Sequence, residues 1–165
     1  MIAIDLFANG SSASEAIAVM HRAFAEYTAK GQPSGALLET SDTLRAELAD
    51  GVRLGVVRDD DRVVAMVKHR RAQDGTLYFS RLGVDPDARG RRLAARLVAA
   101  LREQSAKEGL SGLSCAVRAD ETSNIALYEH LGMKIVRSEQ RVSLTGAVLA
   151  VVVMHDRGAE CSGSH

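Results

Sequence analysis

Arg89, Arg91, Arg92 and Arg96 crowd around Gly90 in the stretch "VDPDARGRRLAARL", residues 84–97. Arginine donates charge-assisted hydrogen bonds and pairs well with phosphate. These arginines stand where an apolar-periodic segment opens, so they meet the N-terminus of a helix. Its unpaired N–H groups and partial positive charge already favour an anion. Gly90 lets the backbone approach a ligand closely, and Pro86 stiffens the turn that delivers the chain. This combination suits a pyrophosphate. The plainer alternative is a solvated helix start, since short basic motifs recur by chance.

Other groups capable of covalent or acid–base chemistry are sparse. Five histidines and two cysteines are scattered without metal-ligand spacing. No Ser-His-Asp grouping can be drawn. His69, between Lys68 and Arg70, reads as an exposed turn histidine. His130 follows Tyr128 by two and faces away from it on a helix. His155 reads as a solvated strand end within reach of a cleft. Tyr128 is either a core tyrosine on a short helix or a proton donor.

The elements that must position these groups follow from periodicity. "MIAIDLF" alternates as a strand. "SSASEAIAVMHRAFAEYTA" predicts a helix, with Ser12 and Glu15 as a capping box and Ile17, Met20, Phe24 and Tyr27 facing a core. Ser41 caps a second helix carrying Leu44 and Leu48. "VRLGVV" and "RVVAMVKHR" form a hairpin around Asp59, Asp60 and Asp61, and "TLYFSRLGV" is a further strand. A helix from Leu93 turns Leu97, Val98 and Leu101 inward and stops at Gly109, with Glu103 and Lys107 paired on its other face. "LSCAVRA", "SNIALYEHL", "MKIVRSEQRV" and "AVLAVVVMH" complete the order β-α-α-β-β-β-α-β-α-β-β. That is an α/β (α+β) class with a mixed sheet and about four helices. The segment 76–118 is a parallel crossover, and ligands of such sheets sit at the carboxyl ends of the parallel strands, where the arginine stretch lies.

Length and composition limit the function classes. A chain of 165 residues suits one domain, taken as 1–157 with a flexible tail at 158–165. Lysine plus arginine and aspartate plus glutamate number 21 each. No basic excess draws the chain to nucleic acid or anionic membrane, and 4% aromatics gives few stacking platforms. The start lacks a basic region before an apolar core, and no apolar run reaches a membrane span. A cytoplasmic protein that binds neither nucleic acid nor membrane is expected. The apolar last strand is either central or paired with a second subunit, which would make a homodimer.

Two stretches together resemble one family. "SRLGVDPDARGRRLAARL" is similar to the acetyl-CoA-binding segment of the GNAT superfamily of N-acetyltransferases: a strand, a V-x-P turn, then Q/R-x-x-G-x-G/A at Arg89, Arg92 and Ala94. "VRADETSNIALYEHLGM" resembles its later strand–helix signature at Leu127, Tyr128 and Gly132, with Met133 in place of a phenylalanine. The order of elements agrees over almost the whole chain. The resemblance implies a splayed mixed sheet with acetyl-CoA as co-substrate. Backbone groups of Leu82, Gly83 and Val84 would hold the pantetheine arm and acetyl carbonyl. Amides from Arg89 through Gly90, Arg91, Arg92, Leu93 and Ala94 to Arg96 would hold the pyrophosphate. Asn124 would partly replace the family's asparagine, whose place is taken by Glu121. Tyr128 would contact the cofactor and protonate the leaving thiolate as the catalytic acid.

Two departures bear on mechanism. Arg92 stands at the motif's middle glycine. Ala116 stands where some members carry a glutamate base. Tyr78 and Ser80 share a face with Leu82 and Val84 on strand alternation, but neither is a good base. Deprotonation through ordered water, assisted by Glu121 or a strand side chain, is the expected route. Glu26, Tyr27, Glu39 and Glu47 are expected near the acceptor cleft, and "QPSGALLETSDTLRAEL" as a substrate-gating loop. The resulting expectation is transfer of an acetyl group from acetyl-CoA to an amine of a small molecule or peptide, by direct attack in a ternary complex. The alternative is a non-catalytic acyl-CoA-binding sensor or interaction module.

Overall fold

The computed structural model describes residues 1–25, 34–143 and 146–157. Tyr27, Glu26, Cys161 and the tail at 158–165 lie outside the described residues. Among the described residues, seven strands hydrogen-bond in the order β1-β2-β3-β4-β5-β7-β6. They are β1 (Ile2–Ala8), β2 (Arg53–Asp59), β3 (Arg62–Arg71), β4 (Leu77–Val84), β5 (Leu113–Arg118), β6 (Met133–Val142) and β7 (Val148–Asp156). Four α-helices among the described residues accompany them: α1 (Ala13–Phe24), α2 (Ser41–Ala49), α3 (Leu93–Lys107) and α4 (Thr122–His130). The sheet is mixed. β4 pairs parallel with β5 through Leu77↔Leu113 and Tyr78↔Ser114, while β1–β2, β2–β3, β5–β7 and β6–β7 are antiparallel.

The chain forms two compact units. The first comprises Met1–Arg70 and Ser80–Ala100. Its core gathers Ala16, Ile17, Met20, Leu44, Leu54, Val56, Val63 and Met66, with Phe24 and Leu48 packed against it. The predicted inward faces of α1 and α2 supply Ile17, Met20, Phe24, Leu44 and Leu48, and β2 and β3 supply Leu54, Val56, Val63 and Met66. β3 is buried from Val63 through His69, on both faces. A strand covered on both sides reads as a continuous apolar run, and Lys68 and His69 interrupt that run. His69 is therefore no exposed turn histidine. It is 1% exposed, its Nε2 lies 2.7 Å from Leu6 O, and its ring meets Phe7 edge-on.

Both helix caps of this unit differ from expectation. Asn9 accepts from the Ser11 amide and starts a 3-10 turn at Gly10–Ser12. Ser12 is thereby already in a helical conformation and caps nothing; its Oγ accepts from Arg58 instead, at 2.7 Å. For α2 the cap is Thr40, one residue before Ser41. Thr40 and Thr43 exchange side-chain-to-backbone hydrogen bonds in a capping box.

The second unit comprises Arg71–Phe79 and Leu101–His165. Leu77, Phe79, Leu101, Leu113, Met133 and Met154 are almost fully buried in it. β7 lies between β5 and β6, so its apolar run is covered by strands of this same chain. Asp156, at its end, accepts from Arg102 at 2.7 Å and from the Leu113 amide at 2.9 Å. Among the described residues, no helix is long and apolar enough to cross a membrane.

Candidate functional site

The arginine stretch begins from an anchor at Asp85, which the sequence analysis did not single out. Asp85 follows β4, and its side chain is 1% exposed. It accepts from Arg22 of α1 at 2.6 Å, from Arg62 of β3 at 3.3 Å and from the Asp87 amide at 3.0 Å. Its own N–H donates to Val64 O at 2.8 Å. Burial alone would raise its pKa, but the bonds from Arg22, Asp87 and Arg62 outweigh it and hold the carboxyl below its ordinary range. An Asx turn in "DPD" is the sequence signal for this role. The fixed turn continues as a 3-10 turn, Pro86–Ala88, with Ala88 buried.

Beyond Ala88 the backbone changes hand twice. Gly90 takes φ 86 and Arg92 takes φ 57, both left-handed. Arg92 thus keeps the conformation that a glycine would adopt without strain. Its carbonyl accepts from the Arg96 amide at 3.0 Å, closing the first turn of α3. The next amides, of Leu93, Ala94 and Ala95, open the helix and have no intrahelical acceptor. Arginine carries donors only, so Arg92 cannot cap them with its side chain. Arg89, Gly90, Arg91, Arg92 and Arg96 are exposed, Leu93 is buried and Ala94 half-buried. Arg91 is directed elsewhere: its Nη1 pairs with Asp59 at 2.8 Å. That bond leads the causes that hold Asp59 below the ordinary carboxylate range. Arg92 and Arg96 form no ion pair among the described residues. The geometry offers an anion a basic helix start with open amides.

Upstream, Leu82 and Val84 are half-buried and Gly83 is buried. A Cβ on Gly83 would come within 3.1 Å of the side chains of both Ala23 and Phe24 of α1, so any larger residue would require them to shift by a few tenths of an ångström. Arg81 has φ 55. This break in the strand removes the assumption behind a common face for Tyr78, Ser80, Leu82 and Val84. Tyr78 precedes the break, in the second unit, and hydrogen-bonds Arg141. Arg81 Nε donates to Glu39 Oε2 at 2.7 Å, and Lys68 Nζ donates to Glu39 Oε1 at 2.6 Å and to Glu47 at 3.0 Å. Burial raises the Glu39 pKa, but the hydrogen bond and charge of Lys68, followed by those of Arg81, bring it below its ordinary value. Glu39 and Glu47 are therefore salt-bridged rather than free to line an acidic cleft. From residue 34 the expected gating loop is anchored, with Ser34 and Ala36 buried in and before a 3-10 turn at Gly35–Leu38.

In the second unit, Asn124 and Tyr128 stand one turn apart on α4. Tyr128 is 7% exposed, with its ring edge-on to Phe79 at 5.5 Å. Glu121 precedes the helix and is buried. His130 is exposed at the end of α4, and His155 lies 3.7 Å from Asp74. Burial, and secondarily the charge of Asp156, pushes the Cys115 thiol up to about 12, so it is no nucleophile at neutral pH. Among the described residues, no cluster of three or more His, Cys, Asp or Glu could hold a metal ion. Of the residues singled out by sequence, those from Leu82 to Arg96 thus fall in the first unit, and Asn124 and Tyr128 in the second.

Comparison with known proteins agrees with the order of elements. The model of the acetyltransferase (GNAT) family matches residues 18–133. A mycothiol acetyltransferase of Brachybacterium faecium is 29% identical over 138 residues, 80% of this chain and 40% of that one. The chain thus spans about two fifths of the length of the curated relatives it matches. The ribosomal-protein-S18-alanine N-acetyltransferase of Escherichia coli shares the fold, with TM-score 0.73, 20% identity and coverage of 94% and 92% of the two chains. So does an acetyltransferase structure from Salmonella typhimurium solved with its cofactor acetyl-CoA, with TM-score 0.70, 16% identity and coverage of 94% and 92%.

Proposed function

The chain belongs to the acetyltransferase (GNAT) family, and we propose that it transfers the acetyl group of acetyl-CoA to a primary amine of a small molecule or peptide, by direct attack in a ternary complex. Residues 1–157 act as one acetyltransferase domain. The observation that carries the reading is Arg92: a non-glycine residue that keeps φ 57 at the one place where the family motif has its middle glycine. A left-handed φ at both Gly90 and Arg92 supports the reading of this turn as a phosphate-binding loop.

When bound, acetyl-CoA supplies an activated thioester carbonyl. The residues present fit it. Gly90 and the amides of Leu93 and Ala94 receive the pyrophosphate, and Arg89, Arg92 and Arg96 add charge-assisted bonds. Arg91 contributes its backbone, its side chain being held by Asp59. Leu82, Gly83 and Val84 hold the pantetheine arm, and an N–H near Val84 donates to the carbonyl oxygen as negative charge develops on it. In the second unit, Tyr128 supplies the proton to the departing thiolate, and Asn124 partly replaces the family's asparagine in contacting the cofactor. With Glu39 and Glu47 salt-bridged and Ala116 without a titratable group, the acceptor amine loses its proton through ordered water.

The reading also takes the protein as cytoplasmic and as acting without nucleic acid or membrane. β7 takes the central of its two expected places, between β5 and β6, so a homodimer would use another surface. Two measurements test the function. Acetyl-CoA should raise the melting temperature, and coenzyme A release should appear over a panel of small-molecule and peptide amines. Binding without release over the whole panel would favour a non-catalytic acyl-CoA-binding module. Absence of both would overturn the reading.

A further inference from the structure

Arg81 holds a left-handed backbone inside a strand, at φ 55, immediately before residues 82–84. A bulky L-residue persists there only where its surroundings over-determine it. The surroundings are specific. Glu39 Oε2 accepts from Arg81 Nε at 2.7 Å, and the Glu39 side chain is only 11% exposed. Lys68, 9% exposed on β3, fixes the other Glu39 oxygen at 2.6 Å and is itself held by Glu47. Gly35 leaves room for the guanidinium: a Cβ there would stand 3.1 Å from Arg81 Nη2. Every link belongs to the first compact unit.

We propose that Glu39 is a positioning residue for acetyl transfer, which through Arg81 fixes the peptide planes of Leu82 and Gly83. This rests on the acetyl-transfer reading above. A change of backbone hand at residue 81 rotates the peptide that follows it, so the N–H and C=O groups of residues 81–83 leave the regular ladder directions. Glu39 selects that rotation from a distance, without touching substrate. The role acts where residues 82–84 meet the pantetheine arm and the reacting carbonyl, and leaves the pyrophosphate contacts, which lie further along from residue 89, untouched.

The test is Glu39→Gln, which keeps the shape and removes the charge, together with Glu39→Gln/Arg81→Gly. Lys68 retains Glu47 in both. Glycine adopts a positive φ without a side-chain anchor, so the double variant should recover what the single one loses. Expected for Glu39→Gln are displaced amide resonances of Leu82 and Gly83, a kcat lower by about tenfold and a KM for acetyl-CoA within about twofold. In the double variant the resonances should return and most of the lost kcat with them. Unmoved resonances or unchanged kcat in Glu39→Gln, or no recovery in the double variant, would overturn the proposal. A wild-type protein that releases no coenzyme A with any amine would sink the acetyl-transfer reading instead. The resonances and their recovery then decide the anchoring by themselves.

Discussion

Replacing Arg92 with glycine separates the two things this residue does. Its backbone is left-handed, with φ 57, which costs an L-residue roughly 1–2 kcal/mol. Arg92→Gly removes that cost but adds backbone entropy to the unfolded chain, about 0.4–1 kcal/mol. The net gain for the free protein is about 0.5–1 kcal/mol, or a rise in Tm of roughly 1–4 °C for a chain of this size. Binding should move the other way. The exposed guanidinium forms no ion pair among the described residues, so the phosphates are its natural partner. Losing one charge-assisted hydrogen bond costs about 1.5–3 kcal/mol when desolvated. At this exposed position the low end applies, and the Kd for acetyl-CoA should rise by about tenfold. Calorimetric titration and thermal melts of the free protein measure both quantities. Arg92→Ala is the control: it keeps the strain and loses the charge, so binding weakens without a rise in Tm. A fall in Tm for Arg92→Gly would refute the strain argument. Tighter binding would show that the side chain crowds the phosphates instead of gripping them.

Three further outcomes follow from named contacts. Asp85→Asn should destabilise by about 1–3 kcal/mol at neutral pH, the cost of losing hydrogen bonds to a buried charged group whose partners are exposed enough to hydrate. Because the folded pKa of Asp85 is depressed, its contribution is complete above the unfolded value, near 4, and is lost as pH falls through the lower folded value. Urea melts of both proteins should therefore converge in acid, and a gap that stays constant with pH would contradict the assignment. Tyr128→Phe should lower kcat by about 100-fold or more with little change in KM for acetyl-CoA, and equal losses in stability and rate would mark it as a core residue only. Cys115, with its thiol pushed up to about 12, should resist iodoacetamide at pH 8 in a Cys161→Ser background until the protein is unfolded; rapid labelling of the native protein would disprove its burial.

The order of strands and helices was legible because each element carries its own periodicity. What escaped was set by contacts distant in sequence. Lys68 and His69 look like the polar end of a strand, but β3 is covered on both faces, and the carboxylates that make Lys68 tolerable arrive from residues 39 and 47. Arg81 gives no warning at all: "SRLGV" alternates acceptably, and its change of hand depends on Glu39. The α2 cap lies one residue before Ser41 because Thr40 and Thr43 answer each other, and the capping bond near α1 comes from Asn9 because a 3-10 turn at Gly10–Ser12 precedes the helix. Gly90 and the arginines were readable since glycine and charge state their own conformational and electrostatic business. Asp85 was overlooked beside Pro86, although it makes more of the turn's bonds than the proline can.

Two arginines of this first unit carry left-handed backbones, and the difference between them is informative. Arg81 is answered within the protein by Glu39, at 2.7 Å and largely out of water. Arg92 has no such answer among the described residues, and its side chain is exposed. Strain that is matched by a buried partner fixes a shape, whereas strain beside open amides and an unpaired cation leaves interaction energy to be realised with a ligand. An anion arriving at the start of α3 would meet donors already aimed and would neutralise a charge the protein leaves exposed. The arginine at the motif's middle glycine thus keeps a left-handed φ of 57, and the paired Arg92→Gly and Arg92→Ala measurements decide whether its guanidinium grips an anion there or crowds it.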